Sequence, residues 1–454
     1  MEQRPAPRSP HPLLARRPLL ASGALLPLAA AGLAGCGALG GGEGGAAPDL
    51  RAEVPRAEPD PPEGAGQIVA PFTARLLAAI DREPVNAVCS PLSAQIALAM
   101  IGLGAAGATR TQMEEVLGAP MEDLAQGANT LDQVLAGVGE QEREDPQDGD
   151  PEAARASLAN ATWIQEGFEV SESFLEDLAT SFGSGLYEAD FAEEGEREQA
   201  RTEINDWVLE QTNDLIEELI PQGVLSPDTR LVLVNALHLK AAWQSTLTLS
   251  GGRFTTADGE ERSAEMLTGS SQGWYEDDLV RATSLSTYGG ELALALIQPV
   301  QDVPTVIDGW AGAAGARGGG DPEAGIAALL SGLQEDSEGT QLTVPAFDID
   351  WEQELEDPLQ QLGMVDAFTG SADFSGVTAE ASLMITNVLQ KAVITIDEEG
   401  MEAAAATAVV VGETSAPVIP NELILDAPFL FVAYETTTLA PLVLGWIGDP
   451  TQTR

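Results

Sequence analysis

Residues that could carry acid–base or metal chemistry are few in this chain. Its only histidines are His11 and His238, and its only cysteines are Cys36 and Cys89. Zinc centres draw most of their ligands from these two residue types, and thiol catalysis needs a thiolate beside a base. We therefore expect no metal site, no cofactor and no disulfide framework.

One short stretch matches the letters of a hydrolase motif. Residues 269–273, Gly-Ser-Ser-Gln-Gly, have the spacing of a nucleophile elbow, in which a serine sits on a sharp turn between a strand and a helix. Here a polar, glycine-rich stretch leads into an acidic run, which predicts a turn without that helix. Outside the first 35 residues His238 is the only histidine that could act as a base. We expect that the protein is not an enzyme.

Residues 401–415 could join a β-sheet as an extra strand. They contain no proline and only two charges, Glu402 and Glu413. Since strand side chains alternate between faces, the segment could be buried as far as Val411 with no charge on its inner face. The residues on that face are Met401, Ala403, Ala405, Thr407, Val409 and Val411. An exposed β-prone segment is an aggregation hazard, so its presence indicates a use.

The chain is strongly acidic. Its 72 Asp and Glu residues against 21 Lys and Arg give a formal net charge of −51 at pH 7. Such a surface repels the phosphates of nucleic acids, so we expect no nucleic-acid partner. Two explanations remain open: adaptation to high salt, or an acidic patch that recruits a basic partner. The first is favoured because the excess is spread over the whole chain.

Residues 1–35 are predicted to be an export signal that contributes nothing to the fold. Residues 16–20, Arg-Arg-Pro-Leu-Leu, resemble a twin-arginine signal. Residues 33–36, Leu-Ala-Gly-Cys, resemble a bacterial lipobox, in which Cys36 would be acylated and become the first residue of the mature protein. We expect a lipoprotein on the extracellular face of the cytoplasmic membrane, with release into the medium or an ordinary signal peptide with a chance cysteine as alternatives.

Residues 36–66 are rich in Gly, Ala, Pro and Glu, which predicts a flexible tether. Residues 67–454 are predicted to form one domain of the α+β class. Ser90 and Pro91 are suited to start a buried helix, and apolar spacing predicts an amphipathic helix over 203–220. The β-prone run 231–239 is typical of a central strand.

Seven segments, in their order and spacing, resemble the serpin family over residues 67–452. They are 86–93, 102–113, 231–243, 344–347, 362–368, 391–406 and 449–452. The resemblance implies an α+β serpin-like domain with three β-sheets and an exposed reactive loop at about 400–420.

The resemblance also implies a suicide inhibitor of serine proteases. In this family the protease cuts the loop and forms an acyl-enzyme, and the cut loop then inserts into the main sheet before the ester is hydrolysed. The implied partner is a serine protease in a covalent complex with a monomeric inhibitor. The alternative is a non-inhibitory serpin that acts as a binding or storage module.

Family register from Gly400 places the attacked bond at Thr414–Ser415, which implies an elastase-like or subtilisin-like target. A shift of one residue would place it at Glu413–Thr414 and imply a glutamate-specific protease. The implied loop hinge consists of Glu398, Gly400, Met401, Glu402, Ala403, Ala404, Ala405 and Ala406. The implied sheet-opening residues are Asn86, Ser90, Ser93, Asn235, Trp243 and Gln390.

Two of these residues depart from the family pattern. Met401 stands where inhibitory members usually have a small hydroxyl residue, although a flexible thioether can still be buried. Gln390 stands where a histidine is usual, and we expect it to hydrogen-bond with Asn235 and Ser93.

Overall fold

The computed structural model describes residues 47–83, 85–140, 151–315, 320–321, 323–379, 383–401 and 420–454, with Ser157 and Ala159 through their backbone alone. This part of the chain has two β-sheets with helices packed around them, so the α+β prediction is confirmed. Within these residues, no helix combines the length and hydropathy that a membrane span needs.

The helices begin where the sequence supplies helix-starting residues. Pro91 starts the second helix, because its fixed φ suits the first turn and it has no N–H to leave unpaired. All twelve residues of that helix are buried, as predicted. The α-helices of the described residues are α1 (Ala70–Ala79), α2 (Pro91–Gly102), α3 (Gly107–Leu117), α4 (Met121–Ala136), α5 (Glu172–Phe182), α6 (Glu194–Gln211), α7 (Val303–Ala314), α8 (Ile326–Glu335) and α9 (Glu356–Leu362).

The helix predicted over 203–220 has different bounds. Helix α6 begins earlier, at the acidic run, and ends at Gln211 because Asn213 and Asp214 adopt left-handed φ angles of 54° and 66°. Ile216 and Leu219 nevertheless pack into the same apolar cluster as α6. The apolar spacing therefore predicted correctly which residues are buried. It did not predict where the helix ends, because the spacing continues beyond Gln211.

The smaller sheet has six strands in the described residues. They are β2 (Arg155–Gln165), β3 (Leu186–Ala189), β4 (Leu231–Ala242), β10 (Phe347–Glu354), β11 (Asn387–Ile396) and β12 (Gly400–Met401), in the spatial order β10-β11-β12-β4-β2-β3. Strand β4 is buried on both faces, as its β-prone run predicted. Leu233 and Leu237 face the main core, and Val232 and Val234 face the cluster under α6.

The second sheet is mixed and larger. Its strands are β1 (Asn86–Cys89), β5 (Thr248–Thr255), β6 (Glu261–Glu276), β7 (Val280–Ser286), β8 (Leu292–Pro299), β9 (Gly339–Pro345), β13 (Asn421–Ile424), β14 (Phe429–Glu435) and β15 (Pro441–Ile447). The order is β1-β15-β14-β8-β7-β6-β9-β13, with β5 on β6. Strand β6 pairs with β5 and β9 along its first part and with β7 at its end. The resemblance implied three β-sheets, whereas the described residues have two. The long strand β6 hydrogen-bonds to β5, β7 and β9 and so joins strands into one sheet that could otherwise form two.

The chain joins the domain earlier than predicted. Leu50 exchanges two backbone hydrogen bonds with Leu186 of β3, at 3.0 and 2.8 Å, and Asp49 Oδ2 accepts one from the Glu188 N–H at 2.9 Å. The prediction of a flexible tether is therefore wrong for residues 49–60. This segment has little apolar periodicity, which suggested a flexible chain. A few anchoring residues are nevertheless enough to hold it on the surface of the folded domain. Residues 36–46 lie outside the described residues.

Arg56 is the main side-chain anchor of this segment. Its guanidinium lies 2.7 Å from Asp132 of α4, and its Nε donates to Asn129 Oδ1 at 2.8 Å. Burial raises the pKa of the Asp132 carboxyl, and the Arg56 charge opposes that rise. The charged form of Asp132 therefore depends on Arg56.

We expect Arg56→Ala to lower the free energy of unfolding by about 1–3 kcal/mol, because it leaves a largely buried carboxyl without its partner. Urea unfolding at pH 7 measures the change. The control is Arg51→Ala in the same segment, where the side chain is exposed. Equal unfolding midpoints for the two variants would contradict the role of Arg56.

Candidate functional site

Strands β4 and β11 are neighbours in the six-stranded sheet, but they pair along less than half of their length. Four consecutive positions are joined, from Asn387 opposite Val232 to Gln390 opposite Asn235. Among the described residues, no strand pairs with 236–240 of β4 or with 391–395 of β11 on the sides that face each other. Backbone groups inside a sheet normally have ladder partners. We call this gap between 236–240 and 391–395 the slot.

Strand β12 occupies the opening of the slot, at the end of β4 next to Trp243. Gly400 lies opposite Ala242, and Met401 lies opposite both Ala241 of β4 and Ile396 of β11. Beyond Met401 a small cavity of about 20 Å³ has mainly apolar walls, which include Leu237 and Val393. Met401 itself is only 1% exposed, so methionine at this position is compatible with burial. Gly400 and Met401 thus lie between β4 and β11 at the opening of the slot.

A tight turn, residues 397–400, leads from β11 into β12. Asp397 closes the turn, since its Oδ1 accepts hydrogen bonds from the N–H groups of Glu399 and Gly400 at 2.8 and 2.9 Å. Only glycine fits at position 400, because a Cβ there would lie 2.3 Å from the Ala241 carbonyl oxygen. The turn fixes the direction in which Met401 enters the sheet.

Trp243 holds the outside of this turn. Its indole N–H donates to the Asp397 carbonyl at 2.9 Å, and its backbone N–H donates to the Glu399 carbonyl at 2.8 Å. The Glu398 carbonyl accepts a hydrogen bond from the Leu247 N–H at 2.9 Å. Trp243 therefore lies at the opening of the slot.

A buried polar cluster joins β4 and β11 just below the slot. Gln390 accepts a hydrogen bond from the Ser90 N–H at 3.1 Å and donates to the Ser90 carbonyl at 2.7 Å. The same amide group lies 3.5 Å from Asn235 Oδ1, and Asn235 in turn donates to Asn160 of β2. These contacts tie the start of α2 to three strands. Sliding β4 and β11 apart would break them.

The structure separates two other predicted residues from this cluster. Ser93 is buried, but its hydroxyl makes no hydrogen bond within the described residues, so the predicted bond to Gln390 is wrong and Ser90 makes that contact. Asn86 lies at the start of β1, where its side chain bonds to Asp449 near the C-terminus. The remaining predicted residues lie outside the described residues: Cys36, Glu402, Ala403, Ala404, Ala405, Ala406, Glu413, Thr414 and Ser415.

Two functional residues were missed at the sequence level. Asn160 is a polar residue inside a β-prone run, and Asp397 precedes Glu-Glu-Gly, a composition typical of turns. The sequence therefore marks both residues as unusual. Their hydrogen-bond partners could not be predicted, because these depend on which strands are neighbours in the folded sheet.

The serine at the centre of the hydrolase-like motif and the Cys89 thiol are both buried. Residues 269–273 lie inside the continuous strand β6, so the predicted turn is wrong and there is no strand-to-helix elbow. Ser271 is buried and its hydroxyl bonds to that of Thr283 at 2.7 Å. Burial raises the pKa of the Cys89 thiol to about 12, which keeps the thiol protonated and unreactive at neutral pH.

We expect Gln390→Ala to lower the free energy of unfolding by about 2–4 kcal/mol, because it leaves the buried N–H of Ser90 unpaired and opens a cavity. Urea unfolding measures the effect. The control is Gln334→Ala, which removes an exposed amide from α8. If Gln390→Ala behaved like the control, the cluster would not hold the strands together.

Comparisons with known proteins agree with this arrangement. A family model described as Serpin (serine protease inhibitor) matches residues 67–450, a range that includes the slot, the turn and the polar cluster. An uncharacterised serpin-like protein of Thermococcus kodakarensis is 32% identical over 371 residues, which cover 80% of this chain and 81% of that protein. The leukocyte elastase inhibitor of Bos taurus is 29% identical, with 80% and 93% covered. The crystal structure of the thermophilic serpin tengpin in its native state matches with a TM-score of 0.73 and 25% identity, over 88% of this chain and 97% of that one.

Proposed function

The chain belongs to the serpin family, and from that premise we propose that it is a suicide inhibitor that traps serine proteases by inserting its cut loop into the slot. The observation that carries the proposal is the slot itself, with β12 already seated at its opening. A sheet that is open beside a β-prone segment offers that segment a place once a protease has cut it.

The register supports insertion along the whole of β4. Continuing from Met401 by one residue per step, Glu402 comes to lie opposite Lys240, and Val411 opposite Leu231, the first residue of β4. Thr407 comes to lie opposite both Asn235 and Gln390, which are already partners of each other. The registers on the two sides of the slot agree, so a single strand satisfies both.

The chemistry of the segment fits these positions. Ala403 and Ala405 would face the small gap between Leu237, Leu239 and β11, where larger side chains would clash. Thr407 would bring the one hydroxyl of residues 402–411 to the polar cluster. Glu402 would remain near the Lys240 ammonium on the outer face, so its charge would be compensated.

Insertion would supply the energy for trapping. Ten residues, 402–411, would each gain ladder hydrogen bonds worth about 1 kcal/mol net, which amounts to roughly 10 kcal/mol before apolar burial is counted. The uncut chain would then be metastable and would persist because of a kinetic barrier. The polar cluster contributes to that barrier, since its contacts must break before Thr407 can enter.

In the proposed reaction the protease serine attacks the carbonyl carbon of Thr414. The bond to the Ser415 nitrogen breaks, and the protease's general acid protonates the released amine. The loop then inserts while Thr414 is still esterified, and the distorted protease cannot hydrolyse the ester. The small side chain of Thr414 favours an elastase-like or subtilisin-like target, and the elastase inhibitor among the relatives supports that choice. Cleavage at Glu413–Thr414 by a glutamate-specific protease is the second candidate.

Incubation with elastase-, subtilisin- and glutamate-specific proteases tests this function. We expect a complex that survives SDS and a released peptide that begins at Ser415, or at Thr414 if the alternative bond is used, as identified by mass spectrometry. Cleavage with full retention of protease activity would instead support a binding or storage serpin.

We also propose that the inhibitor is a monomer anchored to the extracellular face of the cytoplasmic membrane through acylated Cys36. The lipobox-like residues 33–36 support this location. Cys36→Ala should move the protein from the membrane fraction into the medium. Unchanged membrane association would contradict the lipid anchor.

A further inference from the structure

A large cleft lies in the mixed sheet, apart from the slot. It opens where β8 and β15 end and where β14 begins, and it has a volume of about 720 Å³. Sites for small molecules typically measure about 300–1,000 Å³. The apolar residues that line the cleft include Trp446, Pro299 and Pro428. The cleft is therefore large enough to enclose a small organic molecule.

Ion pairs fix the walls of the cleft. Arg262, at the start of β6, pairs with the buried carboxylate of Asp449 near the C-terminus. Arg82, after α1, lies 2.8 Å from Asp308 of α7. Each pair joins two different walls, so the cleft is formed before any ligand arrives.

The charge left over in the cleft is negative. Each arginine charge is already paired with a carboxylate: Arg82 pairs with Asp308 and also donates to the Ala78 carbonyl at 2.8 Å, and Arg262 pairs with Asp449 and also lies 3.3 Å from Glu260. Glu83 and Asp302 line the cleft as well, and neither has an ion-pair partner among the described residues. Hydrogen bonds from Thr305 lower the pKa of the Asp302 carboxyl, so it stays ionised.

We propose that this cleft binds an amphipathic organic cation. Its apolar body would lie on Trp446 and against Val303 and Ile307 of α7, while its cationic group would lie near Glu83 and Asp302. An indole ring and carboxylates without ion-pair partners both attract organic cations, whereas an anion would be repelled. The site uses none of the residues of the slot, so it is independent of protease trapping.

Isothermal titration of the full chain with berberine, an aromatic quaternary cation, tests the proposal in 0.15 M KCl. We expect one binding site, and no binding of the anionic dye 1-anilinonaphthalene-8-sulfonate. The double variant Glu83→Gln/Asp302→Asn should weaken berberine binding at least tenfold, while asparagine preserves the helix cap of α7. Glu166→Gln/Asp228→Asn, two exposed carboxylates outside the cleft, is the control with the same change in net charge.

A second variant distinguishes binding in the cleft from non-specific attraction of the cation to the acidic surface. Gln301→Trp fills the cleft without a change in charge and should abolish berberine binding. Equal weakening by the two charge variants, or full binding by Gln301→Trp, would overturn the proposal. So would the absence of binding to the unmodified chain.

Discussion

Under the proposed trapping mechanism, Ala405→Arg should convert the protein from an inhibitor of its protease into a substrate. In the continued register residue 405 faces the main core between Leu237 of β4 and Ala392 of β11, and both of those residues are less than 9% exposed. A guanidinium there would have to leave water without a partner, at a cost of several kcal/mol. Insertion would stop near the hinge, and the ester would be hydrolysed before the protease is distorted.

The yield of SDS-stable complex measures this effect, and we expect at least a tenfold fall. Val418→Arg is the matched control, because it places the same residue in the same loop on the far side of the attacked bond, where nothing inserts. The control should form the complex at the original yield. If Ala405→Arg trapped the protease as well as the control did, the loop would not enter the slot in this register.

Much of the fold could be predicted from local sequence. Strand β4 and helix α2 could be predicted as buried elements, because most positions in each are apolar and those positions do not fall on one face only. The end of α6 could not be predicted from apolar spacing, since Ile216 and Leu219 are buried without being helical. The early attachment of the chain was also hidden, because the partners of Leu50 and Arg56 are more than 70 residues away.

The candidate site was predictable only in part. The family resemblance was enough to name three of its residues as candidates: Gly400, Trp243 and Gln390. The slot has no sequence signature, because it is defined by pairs that β4 and β11 fail to make. Asn160 could be assigned only after the strand pairing placed it beside Asn235.

Cutting the loop should raise the melting temperature of the protein. A gain of roughly 10 kcal/mol on insertion, in a domain of this size with an unfolding entropy of about 2 cal/mol/K per residue, corresponds to a rise in melting temperature of about 10 °C or more. Ala405→Arg supplies the control, because its cut loop cannot insert and its melting temperature should stay the same.

The most direct measurement is the melting temperature of the purified chain before and after a single cut between residues 411 and 416, followed by circular dichroism. We predict that the cut chain, with both fragments still associated, melts at least 10 °C higher than the intact one. An unchanged or lower melting temperature would mean that the slot has no strand to gain, and would contradict the trapping mechanism.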